Sequence, residues 1–113
     1  MKNSKTGSQH DVSSTRLASV ISSVLAEEGI PPEKKGYHYL AYAIELAYLD
    51  REMAGSVSKG LYPAVAETFS TSSAAVERSM RTAIEGGCED RRISNSAFIF
   101  RAVEQVKIRL DES

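Results

Sequence analysis

Every apolar stretch of this chain repeats with a helical period, and none sustains the two-residue alternation of a half-buried strand. That property removes sheets, sandwiches and barrels and leaves an all-α architecture. The first repeat is Leu17, Val20, Ile21, Val24 and Leu25, closed by Gly29 and by Ile30-Pro31-Pro32, which forces extended backbone. Ser13 or Ser14 is the predicted N-cap of this helix, and the polar residues 1–12 read as a flexible tail. The second repeat is the longest. Tyr37, Leu40, Ile44 and Tyr48 share a stripe that Ala43, Leu46 and Ala47 widen, and the helix is predicted to run to Gly55. Apolar surface that wide belongs at the centre of a small bundle. Its tyrosines fit core packing with hydroxyls at the rim better than a base-stacking platform or ligand pocket.

A short turn or helix is expected at 57–62, and another helix beginning near Pro63 with Val65, Ala66 and Phe69 inward. Ser70 to Ser73 break the pattern. Ser72 or Ser73 is placed to cap the next helix, which Gly86-Gly87 should stop. After the loop CEDRRISN, a last helix carries Phe98, Ile99, Ala102, Val103, Val106 and Leu110 as its stripe. The sum is a compact five- to six-helix domain at residues 13–113, with no internal repeat.

The 113 residues suffice for one domain with a modest core. The net charge of −1 neither demands nor excludes an anionic partner. Cys88 is the single cysteine, which rules out an intramolecular disulfide and a cysteine metal cage and fits a reducing compartment. No apolar run approaches the roughly 20 residues of a membrane span, and MKNSKTGSQHDVSS lacks the apolar segment of a signal peptide. A cytoplasmic protein is the expectation. His10 and His38 are isolated from other ligands or acid–base partners, and Glu89 and Asp90 beside Cys88 disfavour a thiolate. No nucleophile–base set, glycine-rich phosphate loop or paired-carboxylate site emerges, so neither an enzyme nor a cofactor or metal site is expected.

Residues 63–85 carry the information. Two turns of helix, a break of about four residues and three turns more outline a helix-turn-helix, with Ala66 and Val76 placed to let the helices approach and Ser70 where glycine is common. On the second helix Val76, Met80, Ala83 and Ile84 face inward. Glu77, Arg78, Arg81 and Glu85 face away, with Ser73, Ala74 and Ala75 at the start. A recognition helix divides this way, with anchors behind and planar hydrogen-bonding groups in front. Arg78 and Arg81 suit guanine O6 and N7. Glu77 suits a cytosine amino group or the orientation of an arginine. Ser72, Ser73 and the helix-start N–H groups suit phosphate. The residues alone leave a second reading open: Glu77 and Arg81 form an i,i+4 pair, as on any solvated helix face. Charge does not separate the two, since residues 56–92 hold five basic and five acidic side chains.

Four separated motifs add a resemblance. They are Lys35-Gly36-Tyr37-His38-Tyr39-Leu40; Leu61-Tyr62-Pro63-Ala64-Val65-Ala66 with Phe69; Val76-Glu77-Arg78 with Arg81 and Ala83-Ile84-Glu85; and Asn95-Ser96 with Phe98-Ile99. In this order and spacing, over roughly residues 14–110, the chain resembles the C-terminal effector domain of the sporulation stage-zero (sporulation initiation) response regulators. The resemblance implies a six-helix domain that binds double-stranded DNA and regulates transcription. It assigns base reading to Glu77, Arg78 and Arg81. It also implies a homodimer on tandem sites through the last helix, and RNA polymerase as a further partner. Lys59, Arg91 and Arg92 are the other cations expected to reach phosphate. Ala75 and Thr82 stand where the family tends to have arginine and histidine, and GGCEDRRISN is shorter than the family's segment. Fewer cationic contacts imply weaker binding, a shallower salt slope or an altered preference. No receiver domain is expected, so an alternative is a degenerate effector domain that modulates a full-length regulator by heterodimerisation.

Overall fold

The computed structural model describes the backbone of residues 2–111 and the side chains of 14–111. Among the described residues there are six α-helices and one π-helical turn, and no strand. Helix α1 is Lys2–Glu27. It starts ahead of Ser13 and Ser14, so neither caps it. The side chains of residues 1–12, the expected tail, and of Ser13 lie outside the described residues.

Helix α1 ends as its sequence demands. Gly29 adopts φ 82, its N–H bonds the Ala26 carbonyl at 3.0 Å, and the Ile30 N–H reaches back to Leu25 at 3.1 Å. This left-handed cap satisfies orphan carbonyls and packs Ile30 beside Leu25, both buried. Gly29 also faces Gly87, where an added Cβ would sit 1.8 Å from the Gly29 carbonyl oxygen. Two glycines are therefore needed where the turn after α1 meets the end of α5.

Helix α2, Lys35–Leu49, is central and packs against α1, α4, α5 and α6. It buries Tyr39, Leu40, Ala43, Ile44 and Ala47, each large aliphatic side chain contributing about 1.5–3 kcal/mol. Its remaining tyrosines behave as rim residues: Tyr37 and Tyr42 are half-buried and their hydroxyls bond Ser22 Oγ and Thr68 Oγ1. The helix predicted to reach Gly55 breaks at Asp50, whose extended backbone and carboxylate cap a separate helix α3, Arg51–Ala54, through the Glu52 N–H at 3.0 Å. A short acidic side chain competes for backbone donors, and here it wins over continued helix. The π-helical turn Val57–Leu61 follows.

Helix α4, Tyr62–Thr68, carries Pro63 in its first turn and buries Val65 and Ala66. Phe69 departs from its inward assignment. It lies just past the helix end, 39% exposed, and packs edge-on against Tyr39 and Tyr42 with ring centroids at 5.1 and 6.0 Å. Helix α5 is Ser73–Gly87, so Gly86 and Gly87 end inside it and Cys88 forms the cap. Cys88 is buried, and its thiol lies between Glu28 and Arg101 instead of beside Glu89 and Asp90. Helix α6, Asn95–Asp111, buries Phe98, Ile99, Ala102, Val103 and Val106, while Leu110 is half-buried at its end.

Candidate nucleic-acid interface

Helices α4 and α5 with the turn between them form the helix-turn-helix. Ser70, at φ 55, makes the turn: its N–H bonds Glu67 O at 3.3 Å, and the Thr71 N–H bonds Ala66 O at 2.9 Å. This is the same left-handed cap that Gly29 provides for α1, made here by a residue with a Cβ. Ser72 then caps α5, its Oγ accepting from the Ala75 N–H at 3.1 Å. That bond uses an acceptor lone pair and leaves the hydroxyl hydrogen available to an anion.

Val76, Met80, Ala83 and Ile84 are at most 1% exposed and fix the rotation of α5. Ala66 and Val76 lie in the same core, as their spacing predicts. The opposite face is therefore held outward. Arg78, Arg81 and Glu85 are exposed and Glu77 is half-buried. Arg81 Nη2 lies 3.6 Å from Glu77 Oε2, both side chains nearly half exposed. Such a pair contributes only about 0.2–0.5 kcal/mol, so a base edge can readily displace it. Among the described residues no hydrogen bond or ion pair engages the Arg78 side chain. It is the one long cation on this face with its whole donor fork unspent.

Asn95, at 2% exposure, fixes the face from behind. Its Nδ2 donates to the Glu77 carbonyl at 3.0 Å and to the Tyr62 hydroxyl at 3.1 Å, joining the starts of α4 and α6 to the middle of α5. Burial pushes the Tyr62 phenol above its ordinary value, with the Asn95 bond acting against it. The sequence signal for Asn95 was a polar residue opening an apolar stripe, and that pattern does not by itself separate a cap from a buried tie.

Two cavities flank α5. One, of about 430 Å³, lies towards α6 and is lined by the hydroxyls of Ser58, Ser73 and Ser94 with Glu77 and Arg81. The other, of about 220 Å³, lies towards the start of α2 and is lined by Lys34, Lys35, Arg78 and Thr82. Of the expected phosphate-contacting residues, Ser73 lines the first cavity and Ser72 stands at the helix start. Lys59 lies exposed on a neighbouring depression that shares Ser58. Arg91 and Arg92 are exposed in the loop after α5 and line neither flank. Lys34 and Lys35 lie about forty residues from Arg78 in sequence, so no local pattern places them beside it.

No described helix is long and apolar enough to cross a membrane, and no described cluster of acidic, histidine or cysteine side chains could hold a metal ion. The family model described as the C terminal of the sporulation initiation factor Spo0A matches residues 21–108, from the buried face of α1 to the last turns of α6.

Proposed function

Because the chain belongs to the Spo0A C-terminal family of DNA-binding sporulation regulators, we propose that it is a sequence-specific transcription regulator that reads double-stranded DNA with α5 in the major groove. The observation that carries the reading is Arg78: exposed, unpaired among the described residues, and projected from a helix whose opposite face is locked in the core. Arg78 makes a bidentate contact to guanine O6 and N7. Arg81 makes a second, with Glu77 holding it in position or accepting from cytosine. Ser72, Ser73 and the first N–H groups of α5 meet phosphate, with Lys59, Arg91 and Arg92 as outer contacts. The domain acts without chemistry of its own, in the cytoplasm, and engages RNA polymerase from its site.

A homodimer on tandem sites uses α6, where Phe100 and Ile108 stand 61% and 48% exposed. Apolar side chains of that size on an outward face suit a protein contact. The test is a titration of the domain against duplexes with and without the family's recognition element at two salt concentrations. Wild type should prefer the element, and Arg78→Ala should lose that preference at a cost of about 1–3 kcal/mol while its thermal unfolding stays unchanged. Equal binding of both duplexes by wild type overturns the base-reading assignment and leaves heterodimerisation with a full-length regulator as the better account.

A further inference from the structure

The flanks of α5 differ in charge. On the α6 side the lining is hydroxyl-rich and includes the Glu77 carboxylate. On the α2 side Lys34, Lys35 and Arg78 converge on one cavity with Ser79 and Thr82, and none of the described residues lining it is acidic. Three cations therefore line one concavity with no acidic partner in its described lining.

Gly36 brings them together. A Cβ at this position would lie 2.2 Å from the Ser79 carbonyl oxygen and 2.7 Å from the Ala83 Cβ. Only glycine lets the first turn of α2 rest on the backbone of α5, and that contact sets Lys34 and Lys35 against Arg78. The start of α2 adds to the field. Its N-cap, Lys34, makes no side-chain cap bond, and its first turn holds no acidic residue, the nearest in sequence being Glu33 ahead of the cap.

We propose that Lys34 and Lys35, with Arg78 beside them, form a clamp for a backbone phosphate of duplex DNA at the edge of the groove that α5 enters. The assignment rests on the DNA-binding reading above and extends it to Lys34 and Lys35, which that reading does not use, while Arg78 keeps its base contact. Arg78 belongs both to this cavity and to the outward face of α5. A polymer lying against that face therefore passes its charge directly to the two lysines. A repeating phosphodiester matches that continuity better than an isolated peptide carboxylate. Backbone contacts of this kind set position and add sequence-independent affinity.

The experiment compares wild type, K34Q/K35Q and a charge-matched control, R16Q/R51Q, at two exposed cations away from α5 and α6. Each is titrated by fluorescence anisotropy between about 50 and 200 mM salt against a duplex with one recognition element and against a scrambled duplex. Both lysines of the clamp are exposed, so thermal melts should be unchanged. K34Q/K35Q should bind both duplexes about ten-fold more weakly, with a log–log salt slope shallower by about 1–2 and an unchanged preference ratio, while the control keeps the wild-type slope. An unchanged slope in K34Q/K35Q, or an equal change in the control, overturns the clamp. Loss confined to the element-bearing duplex also overturns it, because a phosphate contact cannot discriminate sequence. The wild-type preference ratio is read separately. If wild type binds both duplexes alike but K34Q/K35Q lowers the slope, base reading fails and the clamp stands. A wild type that binds neither duplex overturns both.

Discussion

Ser70 holds a conformation that a side chain disfavours. At φ 55 it is the one non-glycine residue with positive φ among those described, and the left-handed region costs an L-residue roughly 1–2 kcal/mol. Glycine removes that strain but gives back part of it through the freedom of the unfolded chain. Ser70→Gly should therefore stabilise the domain by about 0.5–1 kcal/mol in urea unfolding. A destabilised variant would mean that the serine hydroxyl makes a compensating contact. At the same scale Arg78 and Arg81 are unequal. One is free and one is loosely held by Glu77, so losing the first should cost more specificity than losing the second.

The elements meet through small residues at fixed points. Gly29 against Gly87 sets where the turn after α1 meets the end of α5, and Gly36 sets the approach of α2 to α5. Gly36→Ala should destabilise the fold by about 1–3 kcal/mol, because backbone, and not a pliable side chain, must move to admit the methyl group. Equilibrium unfolding checks the magnitude. In a variant that still folds, DNA affinity should fall as α2 shifts away from Arg78. Asn95 acts at this scale too, as a buried amide joining α4, α5 and α6 through two donated bonds. Removing the amide takes from the Glu77 carbonyl its second donor and from the Tyr62 hydroxyl its Asn95 bond, although no base-reading side chain has been touched.

For the whole molecule, the long helices at the two ends of the chain are tied at the surface. Arg109 Nη1 donates to Glu27 Oε2 at 3.1 Å, linking α6 to α1. The Arg109 bonds and charge hold the Glu27 carboxyl below its usual 4.5. Folding therefore favours the ionised form. The contribution is complete above about pH 4.5 and fades as pH falls through the depressed folded value. Thermal melts from pH 7 to pH 3 should show Glu27→Gln losing less stability on acidification than wild type, with the curves converging at the acid end. Parallel curves would show that the pair carries no linkage. Glu27 is exposed, so the difference should also shrink in high salt.

Much of the fold was legible because helical periodicity and glycine, proline and serine punctuation act locally. The stripes of α1, α2, α5 and α6, the start of α4 at Pro63 and the cap at Ser72 all follow from residues within a few positions of one another. Besides the start of α1 ahead of Ser13 and the run of α5 through Gly87, two misses were local competitions: Asp50 breaking the second helix, and Phe69 turning outward onto two tyrosine edges. In the candidate site, the amphipathic division of α5 was readable, and so the outward face of Glu77, Arg78 and Arg81 was too. Its surroundings were not. That Arg78 stays unpaired while Arg81 is held, that Asn95 braces α5 from behind, and that Lys34 and Lys35 share a cavity with Arg78 depend on contacts between residues distant in the chain. Sequence fixes which face a helix must bury, because periodicity and hydrophobicity are properties of neighbours. Which charges meet on the face left outside is decided by how closely backbones can approach, and here Gly36 lets α2 rest on α5.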